Sequence, residues 1–322
     1  MAASWIAELD GTRVTVEVPA SSANLGAGYD CLGVALAMTN KIEVEVRVWG
    51  RGEVELTVEG EGRNELSEDH DNRFVQGLEA ALRAARGDLP EEIGWRIAMH
   101  NDIPLARGLG SSAAATVGGV LAGNSLVGEA LSMSEMLGLA CAIEGHPDNA
   151  AAALLGGFVV SAAADGTDGV DAIRFDAPRD LRAVLFVPEV RLSTDQMRAA
   201  LPATVPLKDA VANLSAVAIG VAGLAIGRYE LLSRLTVDHL HERYRAAAYP
   251  QLPRMVETAR EAGAIGAFLS GAGSTILAFT DSMAGITRIE AAFIAAAADS
   301  DLPGTVRVVE PRNTGGRVLS RS

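Results

Sequence analysis

Cysteine and aromatic residues are scarce in this chain. Cys31 and Cys141 are the only cysteines among 322 residues, too few for a disulfide scaffold or for a structural zinc site of four thiolates. Aromatic residues make up 4% of the sequence and apolar residues 49%, which describes a protein rich in Ala, Val, Leu and Gly. The low cysteine content favours a reducing, cytoplasmic location.

Positive charge and long apolar runs are also lacking. The formal net charge is −14, which disfavours nucleic acid as a partner and favours solubility. No apolar run reaches about 18 residues without polar breaks, and the first 15 residues, with Glu8, Asp10 and Arg13, do not fit a signal peptide. We therefore expect no export and no membrane partner. A nucleotide site would have to create its own local positive potential.

The chain is long enough for two domains, and its element pattern indicates the fold class. Strand and helix patterns are mixed without strict βαβ alternation, which predicts an α+β fold in both halves. A short acidic stretch with glycines, residues 164–171, separates the halves. The predicted domains are therefore residues 1–166 and 167–322.

Alternating apolar residues predict the strands of the first half. The first strand covers residues 13–18 and ends at Pro19, and residues 19–30 are expected to be mostly loop. A strand at residues 54–58 is expected to pair antiparallel with one at residues 41–48. At the other end of the chain, residues 311–322 are polar and are predicted to be loose. The other predicted helices cover 72–87, a segment that begins in the glycine-rich loop at residues 103–116 (the phosphate loop) and ends at about 127, 133–143, 195–201, 207–226, 252–262 and 282–298. The other predicted strands cover 95–99, 157–162, 182–187, 264–269, 275–279 and 305–309.

Residues 103–116, IPLARGLGSSAAAT, have the composition of a loop that leads into a helix. Gly108 and Gly110 let the backbone approach an anion, and the first N–H groups of the following helix have no internal partners, so this segment favours phosphate. Ser111 and Ser112 could cap the helix or reach a metal ion. The spacing matches neither the P-loop nor the dinucleotide fingerprint. Taken alone, a glycine-containing turn ahead of a buried helix explains it equally well.

Two further clusters contain polar residues that packing does not require. Asn24 and Asp30 lie among small residues at 19–30, although both types are common in turns. In EGHPDN, Glu144 could hold Mg²⁺ together with a serine hydroxyl, whereas Asp148 and Asn149 could simply cap a helix. His146 of the same motif is expected to be structural, because no second His or Cys stands at ligand spacing.

A second glycine-rich turn, LSGAGSTILAF, joins two predicted strands at residues 269–279. An ordinary hairpin turn would explain it. Packing must account for each of the four clusters separately, whereas one phosphoryl-transfer site accounts for all of them.

In this order, PASSANLGAGYD, PLARGLGSSAA, EGHPDNAAAALLGG and SGAGST resemble the motifs of the GHMP small-molecule kinases, and among them the kinases of homoserine. The resemblance implies a two-domain α+β fold, with an N-terminal domain like ribosomal protein S5 domain 2, a ferredoxin-like C-terminal domain and an active site in the cleft. It implies ATP and Mg²⁺ as cofactors. The implied reaction is phosphorylation of the L-homoserine hydroxyl in threonine biosynthesis, and a homodimer is common in the family.

The resemblance also implies a role for individual residues. The residues around the ATP phosphates would be Pro104, Leu105, Ala106, Arg107, Gly108, Leu109, Gly110, Ser111, Ser112, Ala113 and Ala114. Asn72 and Val75 would lie at the adenine, Gly271 and Gly273 would support the phosphate loop, and Ser112 and Glu144 would lie near Mg²⁺. The amino acid would be surrounded by Asn24, Asp30, Asn149, Arg198 and Arg245, and Asn149, with Asp148 beside it, would orient the hydroxyl.

This assignment is chemically reasonable. A guanidinium can bind the carboxylate of homoserine at two points, and Asp30 could neutralise its ammonium group.

Two alternatives stay open. The same fold could phosphorylate mevalonate or a sugar, but such relatives favour a Lys near the start of the first motif or an Arg-Val-Asn-Leu pattern, where this chain has Ser22 and Ala23 before Asn24. A sensor that binds nucleotide and metabolite without turnover would not need the full set of polar residues in the phosphate loop and in EGHPDN.

Overall fold

The structure, a computed structural model, describes residues 4–48, 52–90, 93–163 and 169–322. The strands are β1 (Arg13–Ala23), β2 (Leu32–Arg47), β3 (Val54–Gly60), β4 (Gly94–Asn101), β5 (Phe158–Ala163), β6 (Val170–Phe175), β7 (Arg182–Pro188), β8 (Gly266–Leu269), β9 (Ile276–Thr280), β10 (Gly304–Val309) and β11 (Arg317–Arg321). The helices are α1 (Ser4–Ala7), α2 (Arg73–Arg86), α3 (Ser111–Leu126), α4 (Met133–Glu144), α5 (Pro147–Leu155), α6 (Thr194–Ala199), α7 (Leu207–Ala225), α8 (Leu232–Leu235), α9 (Glu242–Arg245), α10 (Leu252–Glu261) and α11 (Met283–Asp299). The expected α+β class is confirmed.

The strands form two sheets. The first has the order β11-β1-β2-β4-β3, with β5 paired to β2 and β6 paired to β5. The second has the antiparallel order β10-β7-β9-β8. Buried side chains of α10 and α11, such as Met255 and Phe293, pack with Val184 and Ile276 of this second sheet. These two helices therefore cover one face of the second sheet.

Close packing of α2 against α3 sets the position of the phosphate loop. Asn72 caps α2 by accepting a hydrogen bond from the Phe74 amide at 3.0 Å. A Cβ on Gly77 would lie 2.2 Å from the carbonyl oxygen of Thr116, and one on Gly119 would lie 2.0 Å from that of Phe74. Only glycine allows this approach, so these residues fix α3 and the loop that precedes it.

Three expectations from the sequence were wrong. Strand β1 does not end at Pro19, because a register shift after that residue lets pairing with β2 continue to Ala23. Strand β3 pairs in parallel with β4, which occupies the edge of β2 where antiparallel pairing was expected. The C-terminal segment is ordered, since β11 pairs antiparallel with β1 and Arg312 forms an ion pair with Glu17.

The expected domain boundary at residues 166 and 167 lies outside the described residues. Strand β6, which follows it, pairs antiparallel with β5 in the first sheet. Strand β6 and the short helices α1, α8 and α9 were not predicted from the sequence.

Helix α7 is the one helix in the described part of the chain that is long and apolar enough to cross a membrane. Its mean hydropathy is 1.4, and 33% of the window that meets this test is buried in the protein. Lys208, Asp209 and Asn213 interrupt its apolar residues, so the helix contains no uninterrupted apolar run of about 18 residues.

Candidate active site

The phosphate loop ends in an uncapped helix. Gly110 is the N-cap of α3, has φ of +68°, and provides no side-chain hydrogen bond to the first turn. The backbone amide of Ala114 bonds to the Gly110 carbonyl, and the amides before it in α3 have no such helical partner. These free N–H groups and the helix dipole can together bind an anion.

The neighbours of Gly110 leave no room for a side chain at this position. A Cβ at this position would lie 2.1 Å from Ser21 Oγ and 3.1 Å from Asn149 Oδ1. Ser21 in turn donates a 2.9 Å hydrogen bond to Asn149 Oδ1. Strand β1, the phosphate loop and α5 therefore meet at one point.

The glycine-rich turn between β8 and β9 binds the phosphate loop from the second sheet. Ser270 Oγ donates to the Gly108 carbonyl at 2.6 Å, and the Thr275 amide donates to the Arg107 carbonyl at 3.1 Å. A Cβ on Gly108 would lie 2.1 Å from the Ser270 carbonyl oxygen. The Arg107 side chain donates to the carbonyls of Pro188 and Glu189, both at 2.7 Å. Arg107 thus fixes the loop to the second sheet.

A hydroxyl and a carboxylate meet beside the start of α3. Ser112 Oγ donates to Glu144 Oε1 at 2.8 Å, and Thr116 Oγ1 donates to the same oxygen at 2.7 Å. Oxygen donors of these two types suit Mg²⁺. Within the described residues no three His, Cys, Asp or Glu side chains cluster as a metal site. These two residues therefore suit an ion that takes its other ligands from a nucleotide and water.

The first turn of α5 carries a buried carboxylate. Asp148 is 1% exposed, and its Oδ1 accepts from His146 Nδ1 at 2.8 Å and from the Asn149 amide at 2.7 Å. The hydrogen bond to Asp148 raises the pKa of His146 above its ordinary value, against the opposing effect of burial. Asp148 therefore holds both His146 and the backbone of Asn149.

The loop after β1 brings Asp30 to an arginine of the second half. Asn24, at φ of +71°, accepts from the Asp30 amide at 3.0 Å and donates to the Gly271 carbonyl at 2.9 Å. Arg198 donates from both terminal nitrogens to the two Asp30 oxygens, each at 2.9 Å. Its Nη1 also donates to the Tyr29 hydroxyl at 2.8 Å. Charged groups of both signs thus face each other in the cleft.

Arg245 lies behind this ion pair and is 2% exposed. Its Nη1 donates to the Gly271 carbonyl at 2.8 Å, its Nε lies 3.3 Å from the Met197 carbonyl, and its guanidinium carbon lies 5.5 Å from the Tyr29 ring centre. Its Nη2 has no hydrogen-bond partner in the described part of the chain. A buried guanidinium with a free donor that lines a cavity can bind a carboxylate.

One cavity, of about 140 Å³, gathers most of the residues singled out from the sequence. Its lining includes Asn24, Asp30, Pro104, Ala106, Arg107, Gly108, Leu109, Gly110, Ser111, Ser112, Ala113, Glu144, Asp148, Asn149, Arg198, Arg245, Gly271 and Gly273. The phosphate loop, the acids Glu144 and Asp148, and the arginines Arg198 and Arg245 therefore line the same cavity.

A second, mostly apolar cavity of about 340 Å³ touches the same loop. Asn72, Met99, Leu105 and Ser112 are part of its wall. Val75 and Ala114 are fully buried and line neither cavity, because their helix faces point into the core between α2, α3 and the sheet. The contact of Val75 with adenine stays a prediction; Asn72, the other residue expected at the adenine, lines this cavity.

Two polar side chains of the site, Tyr29 and His146, were not predicted to be part of it, and His146 was expected to be structural. His146 lines the main cavity, and Tyr29 bonds to Arg198 through its hydroxyl. Each stands next to a residue that was singled out, Tyr29 beside Asp30 and His146 within EGHPDN. This adjacency was the one sequence signal that could have placed them in the site. A single His or Tyr forms no spaced motif that would indicate a binding role.

Two family models match this chain. The model of the GHMP kinases N terminal domain matches residues 72–157, and that of the GHMP kinases C terminal matches residues 221–299.

Curated relatives are similar over most of the chain. The homoserine kinase of Caldicellulosiruptor bescii is 38% identical over 312 residues, covering 95% of this chain and 97% of the relative. That of Corynebacterium aurimucosum is 44% identical over 272 residues, covering 83% and 86%. The crystal structure of homoserine kinase from Cytophaga hutchinsonii superposes with a TM-score of 0.83 at 30% identity, covering 95% of this chain and 97% of that one.

Proposed function

This chain belongs to the GHMP kinase family, and we propose that its cleft transfers the γ-phosphoryl group of ATP to the side-chain hydroxyl of L-homoserine. It is an ATP-dependent kinase with the two-domain α+β fold of that family, and it acts on homoserine. The product, O-phospho-L-homoserine, belongs to threonine biosynthesis. The observation that carries the site assignment is the single cavity shared by the phosphate loop, Asn149 and the Asp30–Arg198 pair.

The nucleotide phosphates bind at the start of α3. The unpartnered amides after Gly110 donate to phosphate oxygens, and the helix dipole favours their charge. The apolar cavity that contains Asn72 and Leu105 receives the adenine on the other side of the loop. The loop is already held at Gly108 by Ser270, so little order has to be gained on binding.

The amino acid binds next to the phosphate loop through its two charged groups. Its carboxylate accepts from Arg198 and from the free Nη2 of Arg245, and its ammonium group donates to Asp30. The zwitterion thereby replaces the ion pair that Asp30 and Arg198 form with each other in this structure. Asn24 keeps the Asp30 backbone in place through its side-chain oxygen.

Alignment dominates phosphoryl transfer, since its loose transition state asks little covalent chemistry of the protein. Asn149 orients the acceptor hydroxyl, and Asp148 positions Asn149 through its amide. The hydroxyl oxygen forms the new bond to the γ-phosphorus, the bond to the β-phosphate oxygen breaks, and the hydroxyl proton passes to a phosphate oxygen. No side chain has to act as a strong base.

Ser112 and Glu144 are the residues that would hold Mg²⁺. When bound, the ion neutralises phosphate charge. Thr116 donates to the same Glu144 oxygen and so keeps the carboxylate beside the start of α3.

The acidic net charge supports the absence of a nucleic-acid partner. Two free cysteines, Cys31 and Cys141, support a cytoplasmic location.

A coupled ADP assay tests the function. We expect ADP release that depends on both L-homoserine and Mg²⁺, and little release with mevalonate, galactose or no acceptor. Equal turnover with mevalonate would overturn the substrate assignment. Tight binding of nucleotide and homoserine without ADP formation would instead indicate a sensor.

A further inference from the structure

Two asparagines lie side by side in the wall of the cavity proposed to receive the adenine. Asn40 of β2 and Asn101 of β4 line this cavity of about 340 Å³, and they are direct partners in the antiparallel pairing of the two strands. Opposite residues in such a pair have their side chains on one face of the sheet, with Cβ atoms about 4.5–5.5 Å apart. Ile42 and Met99, which also pair with each other, line the same cavity. The two amides therefore lie at one end of an apolar floor.

Asn101 has an acceptor atom without a partner. The residue is 4% exposed, and its Oδ1 has no hydrogen bond among the described residues. Its Nδ2 donates to the Glu61 carbonyl at 3.2 Å, which fixes the orientation of the amide. A buried carbonyl oxygen without a hydrogen bond is destabilising, so a ligand that supplies a donor to this oxygen gains affinity.

Asn40 presents the opposite hydrogen-bonding group. Its Oδ1 accepts from the backbone amides of Asp102 at 3.1 Å and Ile103 at 3.2 Å, at the start of the phosphate loop. Its Nδ2 remains a donor that bonds to no part of the chain that the structure describes. Neither amide can turn over without breaking hydrogen bonds to the backbone. The pair therefore offers one fixed acceptor, on Asn101, and one fixed donor, on Asn40.

Asn72, a third asparagine in the wall of this cavity, already uses both ends of its amide. Its Oδ1 accepts from the Phe74 amide at 3.0 Å, and its Nδ2 donates to the Ser67 carbonyl at 2.9 Å. These bonds cap α2 and hold the segment before it. Asn72 would therefore contact a base by packing, whereas Asn40 and Asn101 have free amide atoms to recognise it.

One edge of adenine is complementary to the free atoms of Asn40 and Asn101. Its 6-amino group is a donor, and the ring nitrogen next to that position is an acceptor, N7 on one side and N1 on the other. Guanine instead has an acceptor oxygen at position 6, which would face Asn101 Oδ1 and leave both oxygens without a hydrogen bond. A buried hydrogen-bonding group discriminates strongly against a ligand that cannot pair with it.

We propose that Asn101 and Asn40 select adenine nucleotides. Asn101 Oδ1 accepts from the 6-amino group, and Asn40 Nδ2 donates to the ring nitrogen next to it. This selection rests on the proposed function in one respect, the placement of the ATP base in this cavity, and it requires no role for the residues that bind the amino acid.

Binding of nucleoside diphosphates to the wild-type protein tests the proposal without a substitution. Calorimetric titration with ADP and Mg²⁺ gives the reference Kd. The diphosphate of purine riboside, which lacks the 6-amino group, should bind about tenfold more weakly, and GDP and IDP at least about 100-fold more weakly. Either 1-deaza-ADP or 7-deaza-ADP should bind about tenfold more weakly, because one of them lacks the nitrogen that pairs with Asn40. Full affinity for both would overturn the role of Asn40.

Two variants connect these preferences to single residues. Asn101→Ala should bind ADP and the purine riboside diphosphate within about twofold of each other, because the 6-amino group has lost its acceptor. Asn40→Asp keeps the oxygen that accepts from the Asp102 and Ile103 amides and removes the donor, so 1-deaza-ADP and 7-deaza-ADP should bind it equally well.

Asn124→Ala is the matched control. Asn124 is a buried asparagine whose amide bonds to the Leu131 backbone, and it lines neither cavity. This variant should lose stability in circular dichroism melting and keep the wild-type preference for ADP. Equal binding of ADP and the purine riboside diphosphate by the wild type, or an Asn101→Ala variant that keeps the preference for ADP, would overturn the proposal.

A further variant tests the placement of the base by itself. Ala115→Leu puts a larger side chain in the wall of the cavity and should weaken all the nucleotides by a similar factor. If its affinity for ADP equals that of the wild type, the base lies elsewhere, and the adenine placement and the role of the two asparagines are both wrong. These titrations contain no homoserine. An absence of homoserine-dependent ADP release would therefore overturn the proposed function and leave the selection of adenine supported by its own measurements.

Discussion

Asp30 and Arg198 bind each other through two parallel hydrogen bonds of 2.9 Å, one residue from each half of the chain. The carboxylate of Asp30 and the guanidinium of Arg198 neutralise each other without a ligand. The pair therefore does not attract anions alone or cations alone. A zwitterionic amino acid can replace both partners at once, whereas a simple acid or a simple amine leaves one charge uncompensated. If this pair binds the substrate as proposed, its geometry should select for an amino acid.

Arg198→Lys should raise the KM for homoserine about 10- to 100-fold and leave the KM for ATP within about twofold. Lysine keeps the charge but cannot bind a carboxylate at two points. Steady-state kinetics with each substrate varied in turn measures both values. Arg243→Lys is the matched control, since Arg243 bonds to Asp209 outside the cavity. An unchanged KM for homoserine in Arg198→Lys would remove Arg198 from the substrate site.

Ser112→Ala should lower turnover at least about tenfold, about 1.4 kcal/mol of lost barrier stabilisation, and should raise the Mg²⁺ concentration needed for half-maximal rate. The variant removes the hydroxyl that, together with the Glu144 carboxylate, is proposed to hold Mg²⁺ at the phosphate loop. Titration of Mg²⁺ at saturating ATP provides the measurement. Ser125→Ala on the same helix is the control. Lower turnover without any shift in the Mg²⁺ titration would mean that Ser112 acts on the loop and not on the ion.

Gly110→Ala should weaken binding of a non-hydrolysable ATP analogue at least tenfold, because the new Cβ would collide with Ser21 Oγ. Gly128→Ala supplies the comparison: φ is +79° there against +68° at Gly110, and no atom lies within 4 Å of the added Cβ. Both variants should lose about 1 kcal/mol of stability through backbone strain. Calorimetric titration should show the loss of affinity in Gly110→Ala alone, and equal affinities in the two variants would contradict this account.

Glu242→Gln should stabilise the protein in a pH-dependent way. Burial raises the pKa of the Glu242 carboxyl to about 7, so its contribution to stability is fully present below its ordinary pKa and is lost as the pH rises through 7. Glutamine can still accept from the Leu269 amide, as Glu242 Oε1 does. We expect the free energy of unfolding to rise by about 2–3 kcal/mol at pH 8 and little at pH 4.5.

Urea denaturation at the two pH values measures the effect of Glu242→Gln. Glu257→Gln on the exposed side of α10 is the control and should not change the pH dependence of stability. A gain of equal size at both pH values would show that ionisation of Glu242 is not its cause.

Local signals predicted most of the site. Glycines at 108 and 110, the serines that follow and the EGHPDN motif are contiguous in sequence, so their chemistry can be read without knowing what packs on them. The burial of Val75 could not be predicted in this way, because sequence position does not say which side of α2 meets the core. The pairing of β3 with β4 and of β11 with β1 depends on which sheet edges are free, and that is decided by the whole fold.

The hydrogen bond from Ser270 to the Gly108 carbonyl joins the second and the last of the four family motifs across 162 residues. Substitutions that adjust the turn between β8 and β9 must therefore suit the phosphate loop already present. Chimeras that exchange one half of this chain for that of a distant relative should fold but bind nucleotide weakly. Binding should be kept only where the phosphate loop and the turn that contains Ser270 come from the same parent.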